Sequence, residues 1–319
     1  MAGLLAPLGA LYGGIAAHRL MQVGARARIP VVCVGNLTVG GAGKTPTAIA
    51  IARLLQARGA RPMFLTRGYG GRLGGPVAVA PAHGAADVGD EPLLLARVAP
   101  TIVARDRAAG ARAAAAAGAD VIVMDDGFQN PALAKDLALI VVDGRRGLGN
   151  GKVFPAGPMR APLLAQIARA QALLVVGEAG PAAQPAIDAA RARGLPVLAG
   201  RLVPDSAVVA ALAARPALAF AGIADPEKFF ATLRSAGIAL GATQAFPDHH
   251  RFAAVEADDL ITRAERAGLA LVTTEKDLAR MQGDRALAAL TRRATALPVT
   301  LAFDDADSIG RLLAAIRAA

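Results

Sequence analysis

The chain has 319 residues, of which 54% are hydrophobic and 3% aromatic, with no Trp and a single cysteine. One thiol excludes an internal disulfide framework, and so few aromatics leave little for base stacking and argue for a core of Ala, Leu, Val and Ile in an α/β fold. The net charge is +10, but residues 1–86 contain nine Arg or Lys and no Asp or Glu, while the rest of the chain is nearly balanced; this one-signed third suits an anionic partner, phosphate, nucleic acid or an acidic membrane face, or is a solvated arginine-rich surface.

The first predicted element lies within residues 1–24, which are apolar from Leu4 to Ala17. That length falls short of the roughly twenty residues a spanning helix needs. Leu4, Leu8, Leu11, Tyr12 and Ile15 share one helical stripe ending at His18 and Arg19, and Pro7, Gly9, Gly13 and Gly14 weaken the helix. The segment does not open on positive charge, as a secretory signal does. Two readings stay open: a helix docked on the protein, or an interfacial helix whose apolar stripe enters a leaflet while Arg19, Arg26 and Arg28 meet lipid phosphates.

Next comes an apolar run at 29–34 (IPVVCV), then GNLTVGGAGKTP at 35–46, then a helical run at 47–55. Strand, glycine loop and helix form a phosphate cradle. The strict P-loop spacing fails because Thr38 stands where its first glycine belongs, leaving a variant GGxGKT loop of Gly40, Gly41, Ala42, Gly43, Lys44 and Thr45. Lys44 is expected to reach the terminal phosphates, Thr45 to offer its hydroxyl to Mg²⁺, and Pro46 to sit in the first helical turn. Cys33, mid-strand beside the loop, reads as a buried inert thiol.

Further strands are predicted at 62–66, 101–104, 120–124, 137–142, 172–176, 195–199, 217–221, 269–273 and 298–303. Helices are predicted at 45–58, 90–98, 106–117, 162–170, 183–193, 226–236, 254–267 and 305–318. The alternation predicts parallel sheets covered on both faces, and a composition shift near 201–215, bracketed by Pro204 and Pro216, marks a domain boundary. Asp90 and Glu91 open a helix and read from their spacing as cap and dipole partners, although a carboxylate there is also a possible base. The strand ending in Asp125 and Asp126 delivers a metal-side carboxylate with a second in support. The cluster FPDHH (246–250) is a metal site, an acid/base group or a surface turn, and TEKD (274–277) is a capping box.

As a set, these motifs resemble the tetraacyldisaccharide 4'-kinase family of lipid A biosynthesis. The matching segments are GNLTVGGAGKTP (35–46), TRGYGGR (66–72), VGDEPLLLA (88–96), DDGFQN (125–130), DGRRGLGNGKVFPAGPMRAP (143–162), FAGIADPEKFF (220–230), FPDHH (246–250) and TEKD (274–277), in the family's order. The resemblance implies a P-loop NTPase-like α/β/α sandwich at 29–203, a smaller α/β/α domain at 204–319 closing over the nucleotide, and an N-terminal membrane-surface helix at 1–28. It implies transfer of the γ-phosphate of ATP, with Mg²⁺, to the 4'-hydroxyl of an acylated glucosamine disaccharide 1-phosphate. The setting it implies is the cytoplasmic face of the inner membrane, with no nucleic acid. By position, Asp90 matches the family's base and His249 its activator. Lys44 and Thr45 match the loop pair, and Asp125 and Asp126 the metal-side carboxylates. Arg67, Tyr69 and Gln129 match residues near the substrate. Ala42, Asn130, Met159 and Ala161 depart from the usual residues. A switch ATPase would carry a second lysine early in its loop, and none lies between Arg28 and Lys44.

Overall fold

A computed structural model describes residues 2–316. Uninterrupted apolar runs make strands buried on both faces, as parallel sheets require. Nine strands form the larger sheet: β1 (Val31–Asn36), β2 (Pro62–Thr66), β3 (Val77–Ala78), β4 (Thr101–Val103), β5 (Val121–Asp125), β6 (Leu137–Asp143), β7 (Ala172–Val176), β8 (Val197–Pro204) and, from the far end of the chain, β13 (Val299–Phe303). The smaller sheet has β9 (Ala217–Ala221), β10 (Leu240–Ala245), β11 (Ala270–Thr274) and β12 (Ala294–Leu297).

The larger sheet runs β13-β8-β7-β6-β1-β5-β2-β4-β3, all parallel except its antiparallel edges β13 and β3. The smaller runs β10-β9-β11-β12 and is wholly parallel. Along β1 the core alternates: Val31 and Cys33 face one apolar layer, Val32 and Val34 the other. The smaller sheet has its own two layers, one around Phe229, Phe230 and Leu233, the other around Phe252, Leu260 and Met281. Each sheet is therefore the middle of an α/β/α sandwich, as expected. Helix Lys44–Ala57 buries Ala48, Ile51, Ala52 and Leu55, the i, i+3, i+4, i+7 face, against the larger sheet. Burial pushes the Cys33 thiol up to about 11, so it stays protonated, as an inert core residue should.

The assignment of residues 204–319 to the smaller domain requires correction. β13 pairs with β8 and helix Ala306–Ala314 packs its Ile309 and Leu313 beneath the larger sheet, so only the intervening chain belongs to the smaller unit. The chain leaves the larger sheet after Pro204 and returns at Val299, and the two crossings touch where Asp205 N donates to Pro298 O at 3.0 Å. The stretch between Pro204 and Pro216 is not irregular, since Asp205 caps helix Ser206–Leu212 by accepting from Val208 N. Strands β3, β10 and β12 were not expected.

Helix Ala6–Leu20 lies on the larger sandwich by its glycine face. A Cβ on Gly9 would come within 2.9 Å of the Val153 carbonyl, so the close approach requires glycine there. The predicted stripe of Leu4, Leu8, Leu11, Tyr12 and Ile15 points away from the protein, and Tyr12 meets the exposed Phe154 edge-on at 5.7 Å. The segment therefore docks on the protein and leaves its apolar stripe exposed. No helix among the described residues is long and apolar enough to cross a membrane.

Candidate active site

The phosphate loop leaves β1 at Asn36 and enters helix Lys44–Ala57 through Gly43, whose φ of +91° suits glycine alone. Asn36 Nδ2 donates to Gly40 O at 3.1 Å and Thr47 Oγ1 to Gly43 O at 2.8 Å, which tie the loop at both ends. Thr45 Oγ1 donates to Asp125 Oδ2 at 2.9 Å. Asp125 is buried at the end of β5, and its Oδ1 has no hydrogen-bond partner among the described residues. Burial raises this carboxyl above its ordinary range, against the opposing charge of Lys44. A buried carboxylate oxygen left open beside a threonine hydroxyl is a hard-oxygen donor set that fits Mg²⁺.

Burial lowers the Lys44 ammonium, opposed by Asp126, whose Oδ2 lies 3.7 Å from its Nζ. Asp126 takes the left-handed conformation (φ +52°) and also receives Arg160 Nη2 at 3.1 Å. Burial pushes Asp126 up, but Lys44 and Arg160 outweigh it and hold the carboxyl below the usual range. Arg160 Nε also donates to Thr38 O at 3.1 Å, so the long glycine-rich segment braces the phosphate loop from outside. Gln129, expected beside the substrate, is turned inward. Its amide nitrogen donates to Asn36 O at 2.7 Å and to Gln166 Oε1 at 3.0 Å, so its hydrogens are spent on the loop's base. Asn130 caps a turn by accepting from Ala132 N, and Met159 and Ala161 are buried behind the loop. Arg67 is exposed just beyond β2. Tyr69 is exposed too, its ring 4.9 Å from that of His249.

Asp90 opens helix Asp90–Ala96 and is only 3% exposed. Its Oδ1 accepts from Glu91 N at 3.1 Å, and its Oδ2 lies 3.6 Å from His249 Nδ1. Burial drives Asp90 up, but His249, the Glu91 side chain, Lys276 and Arg280 together overcome it and hold the carboxyl well below the carboxylate range. The hydrogen bond to Asp90 raises His249 above its ordinary value despite partial burial. Glu91 is pushed up to about 6 by burial, against Lys276, whose Nζ donates to Glu91 Oε1 at 2.8 Å. Thr274 caps its helix as expected, Asp277 N donating to Thr274 Oγ1 at 3.1 Å, but the Asp277 carboxylate is turned to the Thr274 hydroxyl, Gly222 N and Arg280, so the cap is one-sided and not the full box expected. Its helix also carries Lys276 and Arg280 to the two carboxylates of helix Asp90–Ala96. Sequence reasoning passed over both cations. Their i, i+4 spacing on one face was the available signal.

Asp90 belongs to the larger unit and His249 to the smaller, and the structure brings them together. Lys276 is the electrostatic link to the phosphate loop, since its charge acts on Asp90, on Asp125 and on Lys44. The segment after β9 covers the loop: Ala224 Cβ lies about 4 Å from where side chains on Gly40 and Gly41 would stand. Asp225 anchors that cover by receiving Arg145 Nη2 at 2.6 Å, and Lys228 pairs with Asp143 at the end of β6. The glycine loop, the open Asp125 carboxylate and the Asp90–His249 pair are thus tied together through Lys276, at the junction of the two units.

The sequence model of the tetraacyldisaccharide-1-P 4'-kinase family (LpxK) matches residues 1–317. A relative from Nitrobacter hamburgensis named tetraacyldisaccharide 4'-kinase is 60% identical over 303 residues, covering 95% of this chain and 90% of its own length. One of the same name from Methylobacterium sp. (strain 4-46) is 60% identical over 316 residues, covering 99% and 93%. Among solved structures, the "apo" form of LpxK from Aquifex aeolicus in complex with ATP matches with a TM-score of 0.75 and 25% identity, over 98% of each chain.

Proposed function

The chain belongs to the tetraacyldisaccharide-1-P 4'-kinase family, and from that premise we propose that it transfers the γ-phosphoryl group of ATP to the 4'-hydroxyl of a tetraacylated glucosamine disaccharide 1-phosphate in lipid A biosynthesis. The observation that carries the reading is the junction of the two units: Lys44, Thr45, Asp125 and Asp90 on the larger, His249 and Lys276 on the smaller, with the charge of Lys276 reaching Asp90, Asp125 and Lys44.

Loop amides and the helix terminus bind the nucleotide phosphates, and Lys44 stabilises charge on the group in flight. Thr45 Oγ1 and Asp125 would hold Mg²⁺, which would supply neutralisation of the phosphate oxygens, and Asp126 keeps Lys44 charged and directed. Asp90 orients the acceptor hydroxyl and takes its proton. Its lowered basicity suits a loose transition state, in which the proton leaves late. His249, its Nδ1 3.6 Å from Oδ2, holds that carboxylate ionised. Arg67, exposed beyond β2, and Tyr69, exposed beside His249, face the sugar and its phosphate.

The N-terminal helix lies on the cytoplasmic face of the bacterial inner membrane. Its Leu stripe and Phe154 enter the leaflet, and the exposed Arg19, Arg26 and Arg28 face anionic headgroups. Label from γ-phosphate-labelled ATP should appear on the acylated disaccharide in detergent, only with Mg²⁺. Hydrolysis of ATP without any labelled lipid would overturn the proposal.

A further inference from the structure

Arg280 is 8% exposed and stands where the two units meet. Its Nε donates to Asp90 Oδ2 at 2.7 Å, across the cleft. Its Nη1 donates, within the smaller unit, to Gly222 O and to Asp277 Oδ1, both at 2.8 Å. Gly222 O also accepts from His249 N at 3.1 Å, while Gly222 N donates to Asp277 Oδ1 at 3.1 Å. The two side chains that approach Asp90 Oδ2, Arg280 and His249, thus hang from one carbonyl oxygen. Joining the units does not require this arrangement, because Lys276–Glu91, Arg97–Glu275 and Arg145–Asp225 already cross between them. A buried ion pair is a poor fastener, since apolar side chains hold as well with less desolvation. What a planar guanidinium adds is direction.

We infer that Arg280 is a positioning residue for the phosphoryl-transfer step: through Nε it fixes the orientation of the Asp90 carboxylate, and through the Gly222 carbonyl it couples that orientation to the seating of the smaller unit. The inference rests on Asp90 acting as the base. If the smaller unit withdraws, Asp90 loses Arg280 and His249 together, so the base is correctly aimed only in the closed cleft. The charged and titratable groups facing Asp90 are Glu91 on its own helix, His249 after β10, and Lys276, Asp277 and Arg280 on helix Glu275–Met281. Removing the Arg280 charge from this set leaves burial less opposed, and the acidic limb of the kcat profile moves to higher pH.

The full chain is assayed in detergent with ATP and the acylated disaccharide, using Arg280→Lys, Arg280→Met, Asp90→Asn and the double variant Arg280→Lys/Asp90→Asn. Lysine keeps a charge but cannot bridge Asp90 and Gly222 O, so Arg280→Lys is expected to lose about tenfold or more in kcat with the KM for ATP nearly unchanged. The double variant should be no slower than Asp90→Asn, because Arg280 acts only through that carboxylate. Arg280→Met strands Asp277 and tests folding by thermal melting. Gly222→Ala supplies an independent probe: its Cβ would stand 3.0 Å from His250 Cβ, 3.1 Å from Asp277 Oδ1 and 3.3 Å from Arg280 Nη1, and it should lower kcat in the same pattern. Wild-type kcat in Arg280→Lys, or losses that multiply in the double variant, overturn the inference while the base assignment stands. Wild-type turnover in Asp90→Asn overturns the base assignment and the inference with it.

Discussion

Asp90 is a carboxylate whose burial works against its charge, held ionised by His249, the Glu91 side chain, Lys276 and Arg280. Asparagine preserves its shape and removes the proton acceptor, so Asp90→Asn should bind ATP normally, by equilibrium titration, and lose about 10²–10⁴ in kcat. His249 offers a sign to check. Its folded value is raised above 6.5, so its pairing stabilises the fold fully below about pH 6.5 and that contribution fades as pH rises through the raised value. The stability gap between the native chain and His249→Ala, from urea melts, should therefore be larger at about pH 5.5 than at about pH 9. A gap that widens with pH would mean that the histidine is held neutral. Lys44, Thr45 and Asp125 were legible in the sequence, because phosphate binding demands small residues, a cation and a strand-end carboxylate at fixed local spacings. Arg280 was not, because its partner lies 190 residues away and only the packing of two sheets brings them together.

At the scale of elements, parallel strands and core helices were legible because burial on both faces leaves an uninterrupted apolar run. The strands missed are edges. β10 reads LGATQA with alternating exposure, and β3 is two residues long, so neither carries that signal. The return of β13 to the larger sheet was hidden because an apolar run does not name its partner. In the N-terminal helix the glycines were read as weakness, whereas they are its docking face against Val153 and Pro162. Its outer stripe carries Leu8 at 56% and Leu11 at 66% exposure. Leu8→Glu with Leu11→Glu places two anions there without touching the docking face. The variant should stay folded, by circular dichroism, and lose flotation with vesicles containing anionic lipid. Undiminished flotation would remove the stripe as the membrane contact.

For the molecule as a whole, the question is what keeps the smaller unit seated. The ties divide by burial. Arg280–Asp90 is almost wholly buried, whereas Arg145 and Arg146 reach Asp225 with guanidiniums largely in solvent. Exposed pairs contribute about 0–1 kcal/mol each and weaken with salt, while a buried pair is screened far less. The outer latch should therefore loosen first, leaving the units hinged on the two crossings at Asp205 and Pro298. Asp225→Asn isolates this latch, because Asp225 also caps helix Pro226–Ser235 by accepting from Lys228 N, and asparagine retains the cap while losing the charge. Two surface pairs lost, up to about 2 kcal/mol together, shift the closed-to-open ratio by up to about thirtyfold. Since closure seats Ala224 over the phosphate loop and delivers His249 and Arg280 to Asp90, the shift falls on nucleotide affinity and turnover together. The variant should show a larger radius of gyration by small-angle X-ray scattering, a raised KM for ATP and a lowered kcat. The native chain should move the same way as sodium chloride is raised, and the variant should respond less. An equal salt response in both would place the seating in the buried contacts alone.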